Sequence, residues 1–469
     1  MNNINNNSFS PYDYRFLAKV IIEAETPLAI GSGQSTIMTD SPVIRDVNGL
    51  PYIPGSTIAG VIRSMIDQKK SNQIFGFQNQ NEGHGSEIIF SEAKMLDSNG
   101  NPVDCLQPEA INNDPLLKKF KELPIRQHVH INSSGTAENH NKFDEEIVYK
   151  GTRFCFEIEM LAKKEEDLDD FKSFLDKLND FSFRLGHGSS KGFGAIRVID
   201  LKQIQLNLTE PEQLKSYLNK SSKLNDSFWE TVESTSCEKN YSSTQWHHYE
   251  IILHPRDFMM FSSGLSDEDS DRLPVKESIV DWSSGNGMLT EQYTLIPASS
   301  VKGALAHRTA YHWNKNNEYY IGDTNAKTGE ENPAIQLLFG NSGKNENDIK
   351  KGNVLFSDII EKTLCTEKIF NHVAIDRFTG GAIDGALFSN KATFAKGQEF
   401  TMNIYVSSIK VPDGCDELKA FEQALNDLAI GMLPLGGGVN NGFGLFTADI
   451  KKNNVLIFNE MGDCNNEHK

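Results

Sequence analysis

The sequence predicts an α+β protein made of two tandem β-α-β-β-α-β units. Three observations predict it. One glycine pattern closes each half of the chain, an amphipathic helix precedes that pattern in both halves, and four further segments recur in the same order. A repeat of this kind sets the architecture before any local reading does.

The glycines give the clearest match. Gly186, Gly188, Gly192 and Gly194 (LGHGSSKGFG) return as Gly436, Gly438, Gly442 and Gly444 (LGGGVNNGFG), 250 residues later. At the same offset Leu168, Phe171, Leu175 and Leu178 return as Leu418, Phe421, Leu425 and Leu428, spacings that put one apolar stripe on a helix. YIPGSTIAG (52–60) answers LIPASSVKG (295–303), and Ile74-Phe75-Gly76 answers Leu338-Phe339-Gly340. Ile89-Phe90-Ser91 answers Leu355-Phe356-Ser357. His128-Val129-His130-Ile131 answers His372-Val373-Ala374-Ile375, each followed by a polar hairpin and then Lys-Gly.

Taken in order, each unit opens on a strand, at 16–24 and at 249–253. A long loop follows, then a helix beginning after Ser56 and after Ser299-Ser300, where serine suits the N-cap. A strand, a variable insert, a hairpin, a strand, the amphipathic helix, the glycine loop and a last strand complete the unit. The expected boundaries are a tail at 1–14, a first domain at 15–200, and a linker with one short helix at 201–246. A second domain covers 247–450, and a tail covers 451–469.

Composition narrows the function classes. Hydrophobic residues at 38% and charged residues at 23% describe a folded globular chain. No apolar run approaches the roughly 18 residues of a membrane span. The start MNNINNNSFS has neither the basic nor the apolar region of a secretory signal. Six dispersed cysteines without a C-x-x-C pair argue against a zinc ribbon and a disulfide framework, so a cytoplasmic location is expected. The net charge of −18 sets a condition: RNA binding would need a local basic groove on an acidic body, completed by neighbouring subunits.

The motifs leave competing readings. Backbone amides of the G-x-G-x-x-x-G-x-G loop can cradle phosphate, with Lys191 adding charge, or the loop is a tight turn packed on its own sheet. A strand follows it and the spacing G-x-G-x-x-G is absent, so it is no dinucleotide fingerprint. Helix starts at Pro54-Gly55-Ser56 and Pro297-Ala298-Ser299 can bind anions, with Arg63, Lys302 and Arg308 nearby in sequence. Neither a Walker A motif nor H-E-x-x-H occurs. His128 and His130, at i and i+2, would share a strand face and can act as acid and base, or they are structural or stack on RNA. Phe143, Phe378 and Phe388 can stack on bases or pack the hairpins.

The stretch LAIGSGQSTIMTDSPVIRDVNGLPYIPGSTIAGVIRSMI (28–66), together with the glycine loops, resembles the RAMP proteins that form the backbone of type III CRISPR interference complexes. The resemblance spans about 15–200 and 247–450, and two units on one chain resemble the fused subunits of type III-D systems. It implies ferredoxin-like, RRM-like domains, each with a β-hairpin thumb, here 132–148 and 376–393. It implies guide CRISPR RNA and complementary target RNA as ligands, and other RAMP and large subunits as partners. In family members that cut, an aspartate before the P-G-S helix cleaves target RNA with a divalent metal, Mg or Mn. That residue matches Asp40, which would be both catalytic and metal-holding. By itself Asp-Ser-Pro also reads as a turn.

The second copy is less clear. The Pro-Val segment of DRLPVK nominates Asp271, while counting back from the P-A-S helix favours Asp281. Ala59 stands where the second copy has Lys302, and Ala29 stands where the family often has histidine. Expected RNA contacts are Arg45, Ser56, Arg63, His128, His130, Gly186, Gly188, Lys191, Gly192, Ser299, Ser300, Lys302, Arg308, His372, Arg377, Gly436, Gly438 and Gly442. Two alternatives to target cleavage remain: a non-catalytic guide-RNA scaffold, and a precursor-RNA endonuclease using His128 or His130.

Overall fold

A computed structural model describes residues 12–37, 39–79, 82–132, 135–235, 245–320, 322–341, 349–362 and 365–463. Most of the N-terminal tail, Cys237, Cys464, residues 133–134 of the first hairpin and the last six residues lie outside them.

The first half contains β1 (Tyr14–Ala24), α1 (Gly55–Ser64), β2 (Ile88–Phe90), a hairpin of β3 (Ile125–Ile131) and β4 (Ala137–Glu146), β5 (Arg153–Ala162), α2 (Leu168–Lys177) and β6 (Ile196–Asn207). After α3 (Pro211–Asn219) the second half repeats the order. It has β7 (Trp246–Pro255), α4 (Ala298–Asn316), β8 (Val354–Phe356), the hairpin β9 (Thr366–Ile375) and β10 (Ala382–Phe394), β11 (Phe400–Ser407), α5 (Asp416–Ala429), β12 (Phe446–Lys452) and β13 (Val455–Asn459).

Two antiparallel sheets result. The first runs β6-β1-β5-β2, the second β8-β11-β7-β12, so both carry the order fourth, first, third, second of a β-α-β-β-α-β unit. Each opening strand is central, paired on both edges, and turns an apolar face to the helices. Phe16, Ala18, Val20 and Ile22 are buried under the helices. Tyr249, Ile251 and Leu253 do the same in β7. The registers agree: Val20 lies between Phe156 and Leu201, and Ile251 between Met402 and Ile450. The stripes Phe171/Leu175/Leu178 and Leu418/Phe421/Leu425/Leu428 are buried in the two cores.

Three expectations need correction. Residues 201–246 are not simply a linker. β6 runs to Asn207, and the following segment folds back so that Trp229 and Val232 pack with Leu17 and Leu206 on the sheet's outer face. Trp229 Nε1 donates to Glu157 at 2.5 Å, which satisfies the buried indole. Nor is 451–463 a tail: β13 pairs with β12 through a turn at Asn453 and Asn454, both at positive φ, which asparagine tolerates. Finally, Pro54 and Pro297, not serines, occupy the N-caps of α1 and α4, without a side-chain cap. Both helices therefore start earlier than serine capping implies.

Candidate nucleic-acid interface

After β1 the chain doubles back in a loop clamped to the glycine turn. Ala29 bridges Gly186, the His187 amide donates to Ala29 O at 2.9 Å, Ser32 N donates to Pro42 O at 2.9 Å, and Ile44 N to Ile30 O at 2.8 Å. The second half repeats this partner by partner. Gly437 N donates to Met260 O at 2.7 Å, Ser263 N to Leu273 O at 2.9 Å, and Val275 N to Phe261 O at 2.7 Å. Asp40 and Asp271 hold matching places in these loops.

Their hydrogen bonds make the match specific. Asp40 N donates to Asp144 Oδ1 at 2.8 Å, and Asp144 N returns a bond to Asp40 Oδ2 at 3.0 Å. Asp271 N donates to Ser389 Oγ at 3.0 Å, and Ser389 N to Asp271 Oδ2 at 2.7 Å. Each aspartate is thus an exposed carboxylate pinned to the second strand of its hairpin. Asp281 does not correspond. It accepts from Ser283 N and Oγ at 3.0 and 2.8 Å in a separate turn, and those bonds hold its carboxyl below the ordinary range.

The glycine turns are packing devices first. A Cβ on Gly186 would lie 2.3 Å from Ala29 O, and on Gly436 2.5 Å from Met260 O. On Gly188 or Gly438 it would lie 2.6 Å from the ring of Phe193 or Phe443. Amides at Lys191, Phe193 and Gly194 are bonded to Gly188 O, Gly188 O and Pro27 O, so they are not free to cradle phosphate. Side chains add polarity at the same turn.

In the first half the glycine turn meets the hairpin in a charged cluster. Glu145, 1% exposed, receives His187 Nε2 at 2.8 Å, lies 2.6 Å from His128 Nε2 and 3.6 Å from Lys191 Nζ. Burial works to raise its carboxyl. The adjacent imidazoles of His128 and His187 and the charge of Lys191 outweigh burial and hold it far below the ordinary carboxylate range. His128 stacks on Phe143 with centroids 5.1 Å apart, as His372 does on Phe388 at 4.9 Å. A bulge between Val129 and Ile131 breaks the strand register, so His128 is largely buried while His130 is exposed. They are not the matched pair on one face that regular alternation predicts.

The halves meet at this same turn. Gly192 is so close to the start of α4 that a Cβ would lie 2.6 Å from Ala298 Cβ. Lys302 Nζ reaches back to Ser190 Oγ at 3.2 Å, with burial and then Lys191 pushing its amine down. Beneath, Arg126 from the first hairpin donates to Glu277 Oε2 at 2.9 and 2.7 Å and to Asp358 Oδ2 at 2.5 Å, all buried. Asp358 Oδ1 also accepts from the first amide of α4, Ala298 N, at 2.8 Å.

Several other expected contacts are engaged internally. Arg45 binds Glu146 at 2.6 Å and the carbonyls of Phe120 and Gly49. Arg63 reaches Gly76 O at 3.1 Å, and Arg308 pairs with Asp427. Ser56 is exposed at the start of α1, whereas Ser299 and Ser300 are half-buried. Arg377 and Phe378 sit at the exposed tip of the second hairpin. Gly442 is open: among the described residues, a Cβ there would meet nothing within 4 Å. Among the described residues, no cluster of three histidine, cysteine or acidic groups forms a metal cage. Sequence reading missed Glu145, His187, Asp144 and Arg126. A signal existed only for His187, in the difference between G-H-G and G-G-G.

The chain is 29% identical over 209 residues to the CRISPR system Cms endoribonuclease Csm3 of Methanocaldococcus jannaschii, covering 39% of this chain and 78% of that protein. It is 26% identical over 216 residues to the protein of the same name from Methanothermobacter thermautotrophicus, covering 40% and 86%. The RAMP superfamily model matches twice, at 21–197 and at 287–447, one segment in each half. With most of its length so matched, the chain belongs to the RAMP superfamily.

Proposed function

We propose that this chain is a two-unit, Csm3-like backbone subunit of a type III CRISPR complex that holds guide RNA and cuts paired target RNA. Asp40 is the cutting residue of the first half and Asp271 its counterpart in the second. The observation that carries this is the pair of equivalent loops, each presenting one exposed aspartate tied to its own hairpin. The two hairpins are the thumbs of the resemblance, and other RAMP and large subunits are the partners.

The contact between the halves supports a repeating backbone. The first hairpin and glycine turn dock on the second half through Arg126, Gln127 and Gly192. The counterparts in the second half stay open: among the described residues nothing lies within 4 Å of a Cβ on Gly442, and Asn371, which matches Gln127, is exposed. A head-to-tail contact of this kind extends to the next subunit. Lys191 and Lys302 at the junction form the local cationic notch that an acidic protein needs to hold RNA.

The donor set fits a divalent cation held mostly by substrate. Asp40 would hold Mg²⁺ or Mn²⁺ through a carboxylate oxygen, with RNA and water supplying the remaining oxygens. When bound, the ion would neutralise charge on the scissile phosphate. Asp144 keeps Asp40 in place through its backbone and side chain. The test is a complex assembled with guide and end-labelled complementary RNA. Asp40→Ala should remove the cuts facing the first half and Asp271→Ala those facing the second. Unchanged cuts in Asp40→Ala would leave the chain a guide-RNA scaffold.

A further inference from the structure

We infer that His187 is the general acid of the first cutting site and that the second half lacks one; this rests on the reading of Asp40 above. His187 stands between two turn glycines, and its amide bond to Ala29 O fixes it beside the Asp40 loop. Its Nε2 is taken by Glu145 Oε2 at 2.8 Å, which leaves Nδ1 as the nitrogen that carboxylate does not hold. That edge faces the loop. A Cβ built on Gly31 would lie 3.8 Å from His187 Nδ1 and 3.6 Å from Oγ of Ser41, the residue after Asp40. The imidazole is 42% exposed, whereas the Glu145 carboxylate that holds it is 2% exposed. A buried carboxylate on one nitrogen orients the ring and leaves the other nitrogen for a second partner, the geometry a proton donor needs.

The groups around His187 are Glu145 from β4, His128 from β3 and Lys191 from the glycine turn, with Asp40 and Asp144 on the adjoining loop and strand. In the second half the corresponding residues are Asn390, His372, Asn441, Asp271 and Ser389, and Gly437 replaces His187. Only the aspartate and the inner histidine persist. The proton donor and the carboxylate that orients it are both gone.

The chemistry balances without a co-reactant. The 2′-oxygen of the target forms a bond to phosphorus as its proton passes to solvent. The P–O5′ bond breaks, and the departing oxygen takes the proton from His187 Nδ1. The products are a 2′,3′-cyclic phosphate and a 5′-hydroxyl, and water reprotonates the imidazole. Glu145 is a positioning residue in this scheme.

The experiment uses the assembled complex with guide RNA and two complementary targets, one ordinary and one with a 5′-thio leaving group at the first-half cut. Sulfur leaves without protonation. His187→Ala and His187→Gln should slow the first-half cut of the ordinary target about 100-fold or more while leaving second-half cuts unchanged. Both should cut the 5′-thio target at nearly the unsubstituted rate. Asp40→Ala should lose both targets, and Glu145→Gln should shift the pH profile of the first-half cut alone. If Asp40→Ala abolishes cutting but the His187 variants cut normally, or are slow on both targets, the acid role is overturned. If Asp40→Ala itself changes nothing, the failure lies in the cleavage reading. Retained guide RNA in each variant complex confirms folding.

Discussion

Replacing Arg126 with methionine tests whether one buried cluster keeps the two halves in register. The guanidinium donates at 2.9 and 2.7 Å to Glu277 and at 2.5 Å to Asp358. Burial disfavours its charge, but Asp358 and Glu277 outweigh burial and hold it cationic. Methionine fills much of the same volume and strands two buried carboxylates. Breaking such a cluster costs about 3–5 kcal/mol. Asp358 keeps the Ala298 amide at 2.8 Å, so we place the loss near the lower end, about 3 kcal/mol. That is roughly a hundredfold in an opening equilibrium. The readout is hydrogen–deuterium exchange at Val280 and Gly287, whose amides donate across the junction to Lys150 O and Ser98 O, both at 2.8 Å. Both should exchange about a hundredfold faster in Arg126→Met, and Arg126→Met with Glu277→Gln should recover part of the loss. Unchanged exchange in the single variant would refute the argument, because the carboxylates would then not depend on Arg126.

Other outcomes follow from the same contacts. Gly192→Ala meets both a φ of +106° and the α4 start, while Gly442→Ala meets only a φ of +86°. The first should loosen the junction in the same exchange measurement, while the second should leave junction exchange unchanged and cost only roughly 1–3 kcal/mol of backbone strain in urea unfolding. The Glu145 carboxyl is lowered in the folded chain, so its contribution to stability is complete above the ordinary glutamate value of about 4.3 and is lost as pH falls below it. The stability difference between the unsubstituted chain and Glu145→Gln should therefore be largest near neutrality and shrink in acid, measured by urea unfolding at several pH values. A difference that grows below pH 4 contradicts the assignment.

How much was legible in the sequence depended on range. The duplication, the buried helix stripes, the central opening strands and the glycine turns were all readable, because each is a local demand: a periodicity, or a backbone angle only glycine meets easily. The edge elements were not. A polar stretch reads as linker, yet Trp229 and the Asn453–Asn454 turn fold two such stretches onto the sheets. Composition reports solvent contact on one face and is silent about pairing on the other.

Only the tertiary structure showed that Asp271, not Asp281, occupies the position equivalent to Asp40, because that match rests on Ser389, 118 residues away. It alone brought Glu145 to His187, 42 residues apart, and Arg126 to Asp358, 232 apart. Such partners are set by strand register and by docking of the halves, which no short window of sequence contains. The sequence by itself determined that there are two units. Their folding decided what surrounds the difference between the glycine loops: Glu145 holds His187 against the loop that carries Asp40, whereas Gly437 offers only its amide to Met260 O.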